Sequence, residues 1–367
     1  MGKKQIKVLH IDSEKLWRGG QQQAVYLFEA LLAKNYVTAF VCQPHSVLAK
    51  YFVTKKLPCF PISMRGEIDV VAGWRISCLS KKHDFNILHL HSSHALTVGL
   101  WAKLFQPKLK LVAVRRVDFH LKKNLFSQIK YHTKLLDKII CISDAIRKVL
   151  LQHNIKPGKL LTIRSGIDIH KFSAIAPLTD LKKQWGISED HLIVGTVAAM
   201  AGHKDYPNLL KAAKMVLEKC PDVTFCAVGD GPEREKIYQL AEHLNLQGRF
   251  IFTGFQENIG PFLKIFDIFV LASRWEGLGT SILDAQAVGL PIVACKSGGI
   301  PEIVIHGQNG ILVPPHDEQA LAEAIRQLVI HADLRKKLGH NSLRTVKDFD
   351  IEVNVQKNIE LYQSLIH

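Results

Sequence analysis

Long apolar runs are missing from these 367 residues. With no stretch of about eighteen apolar residues, a membrane-spanning helix is excluded. Paired cysteine motifs are missing too: Cys42, Cys59, Cys78, Cys141, Cys220, Cys226 and Cys295 form no C-x-x-C pair. Zinc ribbons and thioredoxin-like centres are thereby excluded, and buried, reduced thiols are expected. His89, His91 and His94 lie close in sequence, but no carboxylate stands beside them, so no metal site is expected. The chain also lacks the G-x-G-x-x-G fingerprint of a dinucleotide fold. Its first residues, MGKKQIKVLHID, carry an apolar run too short for a signal peptide. Ile6 stands where a myristoylation signal needs Ser or Thr. A soluble cytoplasmic chain is expected, with a peripheral place on the inner face of the cytoplasmic membrane as its one membrane option.

Acid is scarce in one half only. Residues 1–173 hold 29 Lys and Arg against 10 Asp and Glu, while the remainder holds 19 against 23. A surplus confined to one half points to a polyanionic partner for that half, an anionic membrane or nucleic acid, or simply to a solvated basic surface.

What is present is a βα alternation. Short apolar runs at residues 6–11, 38–42, 87–90, 111–114, 138–142 and 160–163 read as strands. Helical spacing intervenes at residues 21–34, 95–105, 123–135 and 144–153, with Ser143 as the N-cap of the last. After a linker at residues 165–176 the pattern restarts, with runs at 192–198, 224–228, 249–252, 268–271, 292–295 and 311–313. Two Rossmann-like α/β domains in series follow: residues 1–172, then 173–350, with a tail helix at 351–367 packing back on the first.

Five constellations could carry chemistry. Gly19 and Gly20, beside Arg18, precede the first helix and suit either a turn or a phosphate. Lys204 follows the first strand of the second half, where an ammonium can meet a diphosphate. Gly229 and Gly231 make a tight strand-to-helix turn before Pro232. In SRWEGLGTSILDAQ, Glu276, Gly277 and Gly279 lie between a strand's carboxyl end and a helix start, where open α/β sheets place ligands. Asp284 lies one turn further, leaning toward the helix N-terminus. Residues 115–138 read as a basic amphipathic helix, with Leu121, Leu125, Phe126, Ile129 and Leu136 on one face and Lys122, Lys123, Lys130, Lys134 and Lys138 around the rest. Such a helix suits an anionic bilayer or an ordinary core.

With VGDGPEREKI, FTGF and SRWEGLGTSILDAQAVGLPIVACKSGGIPEIVIHGQNGILVPP in view, the chain resembles the retaining family 4 glycosyltransferases of the GT-B fold. The resemblance implies two Rossmann-like domains facing across a cleft, and a nucleoside diphosphate sugar as donor. It implies no metal or other cofactor. Glu276 matches the acid that binds donor-sugar hydroxyls, and Gly277, Leu278, Gly279 and Thr280 match the backbone meeting sugar and diphosphate. Lys204 matches the diphosphate lysine, and Gly20 the N-terminal loop glycine; Gly19, Arg18, Gly229, Gly231 and Phe255 fall on the same donor side. Three departures stand out. Asp284 replaces the family's ribose-binding glutamate. Ala198, Ala199 and Met200 stand where an arginine usually accompanies the lysine, leaving Arg18 or Lys296 to supply the charge. Arg115, Arg116, Val117 and Asp118 replace a histidine near the acceptor, which points to Arg116 and Asp118 there. The implied acceptor is a lipopolysaccharide, lipid-linked or other envelope glycan, and no nucleic-acid partner is expected. A nucleotide-sugar epimerase and a non-enzymatic basic binding protein are the rival readings.

Overall fold

The computed structural model describes residues 5–17, 19–66, 68–117, 125–173 and 180–366. The chain divides into two units: Met1–Gly166 with Ile351–His367, and Ile167–Asp350. The crossing at Gly166 falls six residues before the expected boundary at 172. Ile167 already belongs to the second unit, since its N–H donates to Phe349 O at 3.0 Å and it forms a parallel bridge with Asp350.

The first unit is a parallel sheet of β1 (Lys7–Asp12), β2 (Val37–Cys42), β3 (Cys59–Pro61), β4 (Ile87–Leu90), β5 (Lys110–Arg115), β6 (Lys138–Cys141) and β7 (Leu160–Thr162). The order is β3-β2-β1-β4-β5-β6-β7. The order reverses on either side of β1, so the loops leaving β1 and β4 flank a switch point. Residues 43–86, which carry no strong apolar periodicity, form the helix Val47–Thr54, the three-residue β3 and the helix Val70–Lys82. Their helix starts are capped: the Ser46 side chain accepts from Ala49 N and Asp69 from Ala72 N. Ser143 caps Asp144–Gln152 in the same way, accepting from Ile146 N.

The tail helix Ile351–Ile366 completes this unit's core. Val355, Ile359, Leu361 and Tyr362 pack with Val8, Leu27, Leu31, Ile87 and Val112. These apolar faces explain why the tail docks: alone, its buried stripe would lie in water.

The second unit is a parallel sheet of β8 (Leu192–Val197), β9 (Val223–Val228), β10 (Phe250–Gly254), β11 (Ile268–Leu271), β12 (Ile292–Cys295) and β13 (Gly310–Val313), in the order β10-β9-β8-β11-β12-β13. Here the switch lies between β8 and β11, so Lys204 and Glu276 follow the two strands that bracket it.

A layer of histidines lies under the first sheet's switch point. His10 and His89 are cross-strand partners on β1 and β4, and all of His10, His89 and His91 are buried. His10 Nδ1 lies 2.9 Å from His91 Nε2, and His89 Nδ1 lies 2.6 Å from the Tyr362 hydroxyl. His89 and His91 stack at 4.3 Å between ring centroids. His94 is elsewhere, its Nε2 2.5 Å from Gly66 O. The three buried rings bring nitrogens within 4.8 Å of one another, but stacked rings do not aim their lone pairs at one point, as metal ligation requires.

Burial holds His10 down to about 3 and keeps His89 and His91 well below the ordinary histidine value. In the unfolded chain these groups take protons near pH 6.5. Between that pH and about 3 the unfolded state therefore binds more protons, and stability falls as pH falls. The expected result is a melting temperature that drops steadily below pH 6.5. In His10→Gln the slope of stability against pH between 6 and 4 is expected to be shallower by about 1.4 kcal/mol per pH unit, one proton's worth. Denaturant titrations across that range test this, and an unchanged slope would show that His10 protonates in the folded chain.

Candidate active site

The second unit gathers its candidate residues at the ends of β8 and β11. After β8 the chain runs into a short 3-10 turn, Gly202–Lys204, and Asp205 takes a left-handed conformation at φ 50° before the helix Tyr206–Leu217. This turn presents Lys204 Nζ directly to Glu276 Oε2. The two side chains are only 14% and 15% exposed, so water screens their attraction weakly. Ser273 Oγ donates to the same carboxylate at 3.2 Å, and Gly299 N donates to Glu276 O at 3.0 Å. Glu276 is thus fixed at its side chain by the β8 loop and at its backbone by the loop after β12.

Gly279 closes this loop at φ 87°, a left-handed position where a side chain is strained. Thr280–Ala287 follows as a helix whose cap residue, Gly279, offers no side-chain oxygen. Ile282 N donates to Gly279 O at 2.9 Å, and no side chain caps the N–H groups ahead of it. In its second turn, Asp284 keeps some exposure, yet burial pushes its carboxyl up to about 7, opposed by Lys171.

Gly229 and Gly231 serve a different need. A Cβ on Gly229 would lie 2.2 Å from Ala198 O, and one on Gly231 2.4 Å from Met200 O. The two loops are laced together, with Met200 N donating to Asp230 O and Glu233 N to Met200 O. These glycines let the β9 loop press against the β8 loop, which holds Lys204. Phe255, just past β10, is 66% exposed and offers an open ring face.

One cation at this site went unread in the sequence. Arg274 N donates to His203 O at 3.0 Å, its guanidinium lies over the Trp275 ring at 4.8 Å, and its Nη2 is 3.3 Å from where a Gly202 Cβ would stand. Its place two residues before Glu276 was the available signal. Lys296 is exposed on the loop after β12, and Arg18 lies outside the described residues.

In the first unit, Gly19 and Gly20 open the helix Gly19–Ala33, and a Cβ on Gly20 would approach Arg116 Cδ to 3.1 Å. Arg116 leaves the end of β5 and runs beneath that glycine pair, its Nη2 3.5 Å from His91 Nδ1. Burial lowers it to about 10, partly offset by Asp12. Its Nε has no hydrogen-bond partner among the described residues. Gln23, His91, Arg116, Ser165 and Asn358 help to line a cavity of about 20 Å³, enough for a single water. Asp118 lies outside the described residues.

The segment 115–138 departs from its expected amphipathic pattern. Lys130 is buried and its Nζ reaches Ser93 Oγ at 2.7 Å, while Ile129 is 55% exposed. Lys138 Nζ is held by Gly158 O at 2.7 Å. Arg115 stands over the Tyr131 ring at 5.6 Å. Of the lysines expected on a wet face, Lys130 and Lys138 are thus engaged with the first unit itself, while Lys134 is exposed. Of the others, Lys122 and Lys123 fall outside the described residues. No helix among the described residues is long and apolar enough to cross a membrane.

Residues 17–171 match the model for Glycosyltransferase Family 4, and residues 179–345 match that for Glycosyl transferases group 1. The N-acetyl-alpha-D-glucosaminyl L-malate synthase of Bacillus anthracis is 26% identical over 332 residues, 88% of this chain and 83% of that protein. The UDP-Gal:alpha-D-GlcNAc-diphosphoundecaprenol alpha-1,3-galactosyltransferase of Escherichia coli is 25% identical over 377 residues, 98% of this chain and 97% of that protein. Anabaena HepE, solved in complex with UDP and glucose, superposes with a TM-score of 0.85 at 22% identity, covering 98% of this chain and 100% of that one. With a family match on each half, the chain belongs to the group 1, family 4 glycosyltransferases, a family of retaining enzymes with the GT-B fold that use nucleotide-sugar donors.

Proposed function

We propose that this enzyme transfers a sugar from UDP to a hydroxyl of an envelope glycan whose carrier bears an anionic group, acting at the inner face of the cytoplasmic membrane. The observation that carries the donor half is the Lys204–Glu276 pair beside the open start of Thr280–Ala287. Lys204 and the helix N–H groups take the diphosphate, and Glu276 accepts hydrogen bonds from the sugar hydroxyls. As the bond from the anomeric carbon to the diphosphate oxygen breaks, these donors stabilise the charge on the leaving group. The acceptor hydroxyl attacks from the same face and its proton passes to the departing phosphate oxygen. Asp284 receives the ribose hydroxyls, and Phe255 offers its ring to the base.

UDP is favoured because the Escherichia coli relative is named for UDP-Gal and HepE was solved with UDP. For the acceptor, the two curated relatives are named for L-malate and for a diphosphoundecaprenol, both negatively charged. Arg116, half-buried in the more basic half of the chain and with an Nε that has no partner among the described residues, suits such a group.

Thermal shift tests the donor. UDP is expected to raise the melting temperature more than GDP, ADP or CMP, since only a ligand of the folded state stabilises it. Lys204→Met is expected to weaken UDP at least about tenfold, the loss of one charge-assisted contact. Glu276→Ala is expected to cut transfer about a hundredfold or more without weakening UDP, whose diphosphate gains an unpaired Lys204. If no nucleotide shifts the melting curve and Glu276→Ala leaves hydrolysis of the sugar nucleotides unchanged, the donor assignment fails. Product formed without any acceptor would favour an epimerase.

Asp284 makes UDP affinity pH-dependent. Hydroxyl donors favour the ionised carboxylate, whose pKa stands at about 7 in the unliganded chain. Affinity is therefore expected to rise from pH 6 to pH 8, and to be flat across that range in Asp284→Asn; calorimetric titration at three pH values measures it.

A further inference from the structure

Of the seven cysteines, one pair stands in contact among the described residues. Cys42 closes β2 and Cys59 opens β3, the edge strand, and their sulfurs are 3.2 Å apart. Cys42 is fully buried, beside Phe40, Leu48 and Phe52, whereas Cys59 is partly open to solvent. Cys59 stands opposite Phe40 and Cys42 opposite Pro61, so the two thiols meet diagonally across neighbouring strands, and bonding them draws the edge strand β3 closer to β2. They are also unequal. The hydrogen bond between the two sulfurs, together with the deeper burial of Cys42, raises the Cys42 thiol and lowers the Cys59 thiol. Cys59 is thus both the more accessible sulfur and the better nucleophile.

We infer that Cys42 and Cys59 form a reversible dithiol site, oxidised by a peroxide or a small-molecule disulfide. With hydrogen peroxide, the Cys59 thiolate attacks one peroxide oxygen, the O–O bond breaks, and hydroxide leaves behind a Cys59 sulfenic acid. The Cys42 sulfur then attacks the Cys59 sulfur, its proton joins the departing hydroxyl, and water is released as the S–S bond forms. The peroxide takes the two electrons that the two thiols lose. With oxidised glutathione, Cys59 forms a mixed disulfide and Cys42 displaces reduced glutathione. The bond ties the edge strand β3 to β2, whose last residue stands opposite Asp12. Asp12 in turn accepts from Gln21 Nε2 at 2.9 Å, in the helix that Gly19 and Gly20 open. The remaining thiols show no such partner: Cys141, Cys226 and Cys295 are buried singly, Cys220 is half-buried, and Cys78 is exposed on Val70–Lys82.

The test exposes the full chain to hydrogen peroxide, and separately to oxidised glutathione, and then counts thiols after denaturation. The count is expected to fall from seven by two, with a mass loss of about 2 Da and a linked pair of peptides carrying Cys42 and Cys59. Dithiothreitol is expected to restore both thiols, and the oxidised form to melt at a higher temperature. Cys59→Ser, at a partly exposed position that spares the core, is expected to abolish the change, and Cys78→Ser to leave it intact. Because Cys42 is buried, Cys42→Ala is checked by its melting curve. In Cys42→Ala, Cys59 is expected to stop at an adduct or a higher oxide. A linkage through Cys78, a dimer, or a Cys59 adduct in the unaltered chain with no Cys42 bond would overturn the assignment.

Discussion

Parallel pairing is the constraint on which the rest of the structure depends. In a sheet whose strands all run one way, every strand ends at the same edge, and loops that leave it converge where the strand order reverses. In the second unit that reversal lies between β8 and β11, and Lys204 and Glu276 follow those two strands. In the first unit the reversal lies between β1 and β4, and His10, His91 and the Gly19–Gly20 start gather around it, with Arg116 arriving from β5. The same architecture thus yields two unlike sites. One is built from an ion pair beside a helix start, the other from a half-buried guanidinium beside buried histidines.

Glycine has two meanings in these loops, and sequence reading merges them. Gly279 is held in a left-handed conformation at the turn that shapes the ligand loop. Gly229 and Gly231, equally marked in the sequence, are instead required because the β9 loop lies flush against the backbone of the β8 loop. They support the loop that carries Lys204. Such a distinction depends on what approaches the missing Cβ, which no local pattern encodes.

Where burial is dictated by apolar runs, the fold was legible. β1, β8, β11 and β12 are short, nearly continuous apolar stretches, and all sit where their composition placed them. Residues 43–86 were less legible because β3 has three residues and ends in Pro61. The adjoining helices announce themselves only through single caps at Ser46 and Asp69. Long polar side chains misled most. Helical spacing put Lys130 on a wet face, but the lysine stem is long enough to cross to Ser93 and leave Ile129 outside. Arg274 was missed for a related reason: its contact with the Gly202 turn joins residues seventy positions apart. Glu276 and Lys204, by contrast, can be placed from sequence because each follows a strand end whose position the apolar pattern fixes.

The Lys204–Glu276 pair also shapes what the donor must be. Two weakly solvated charges in contact neutralise each other, and removing either partner alone strands the other, a cost of several kcal/mol for buried pairs. A ligand that separates them has to satisfy both at once, with an anion for the ammonium and hydroxyl donors for the carboxylate. A bare diphosphate supplies only the first and a free sugar only the second. On the proposed reading, a sugar joined to a diphosphate supplies both, so the pair would favour the intact donor over its fragments. Ser273 and the Gly299 N–H keep Glu276 anchored when the ammonium turns away. The position is then retained for the sugar and does not relax into the vacated loop.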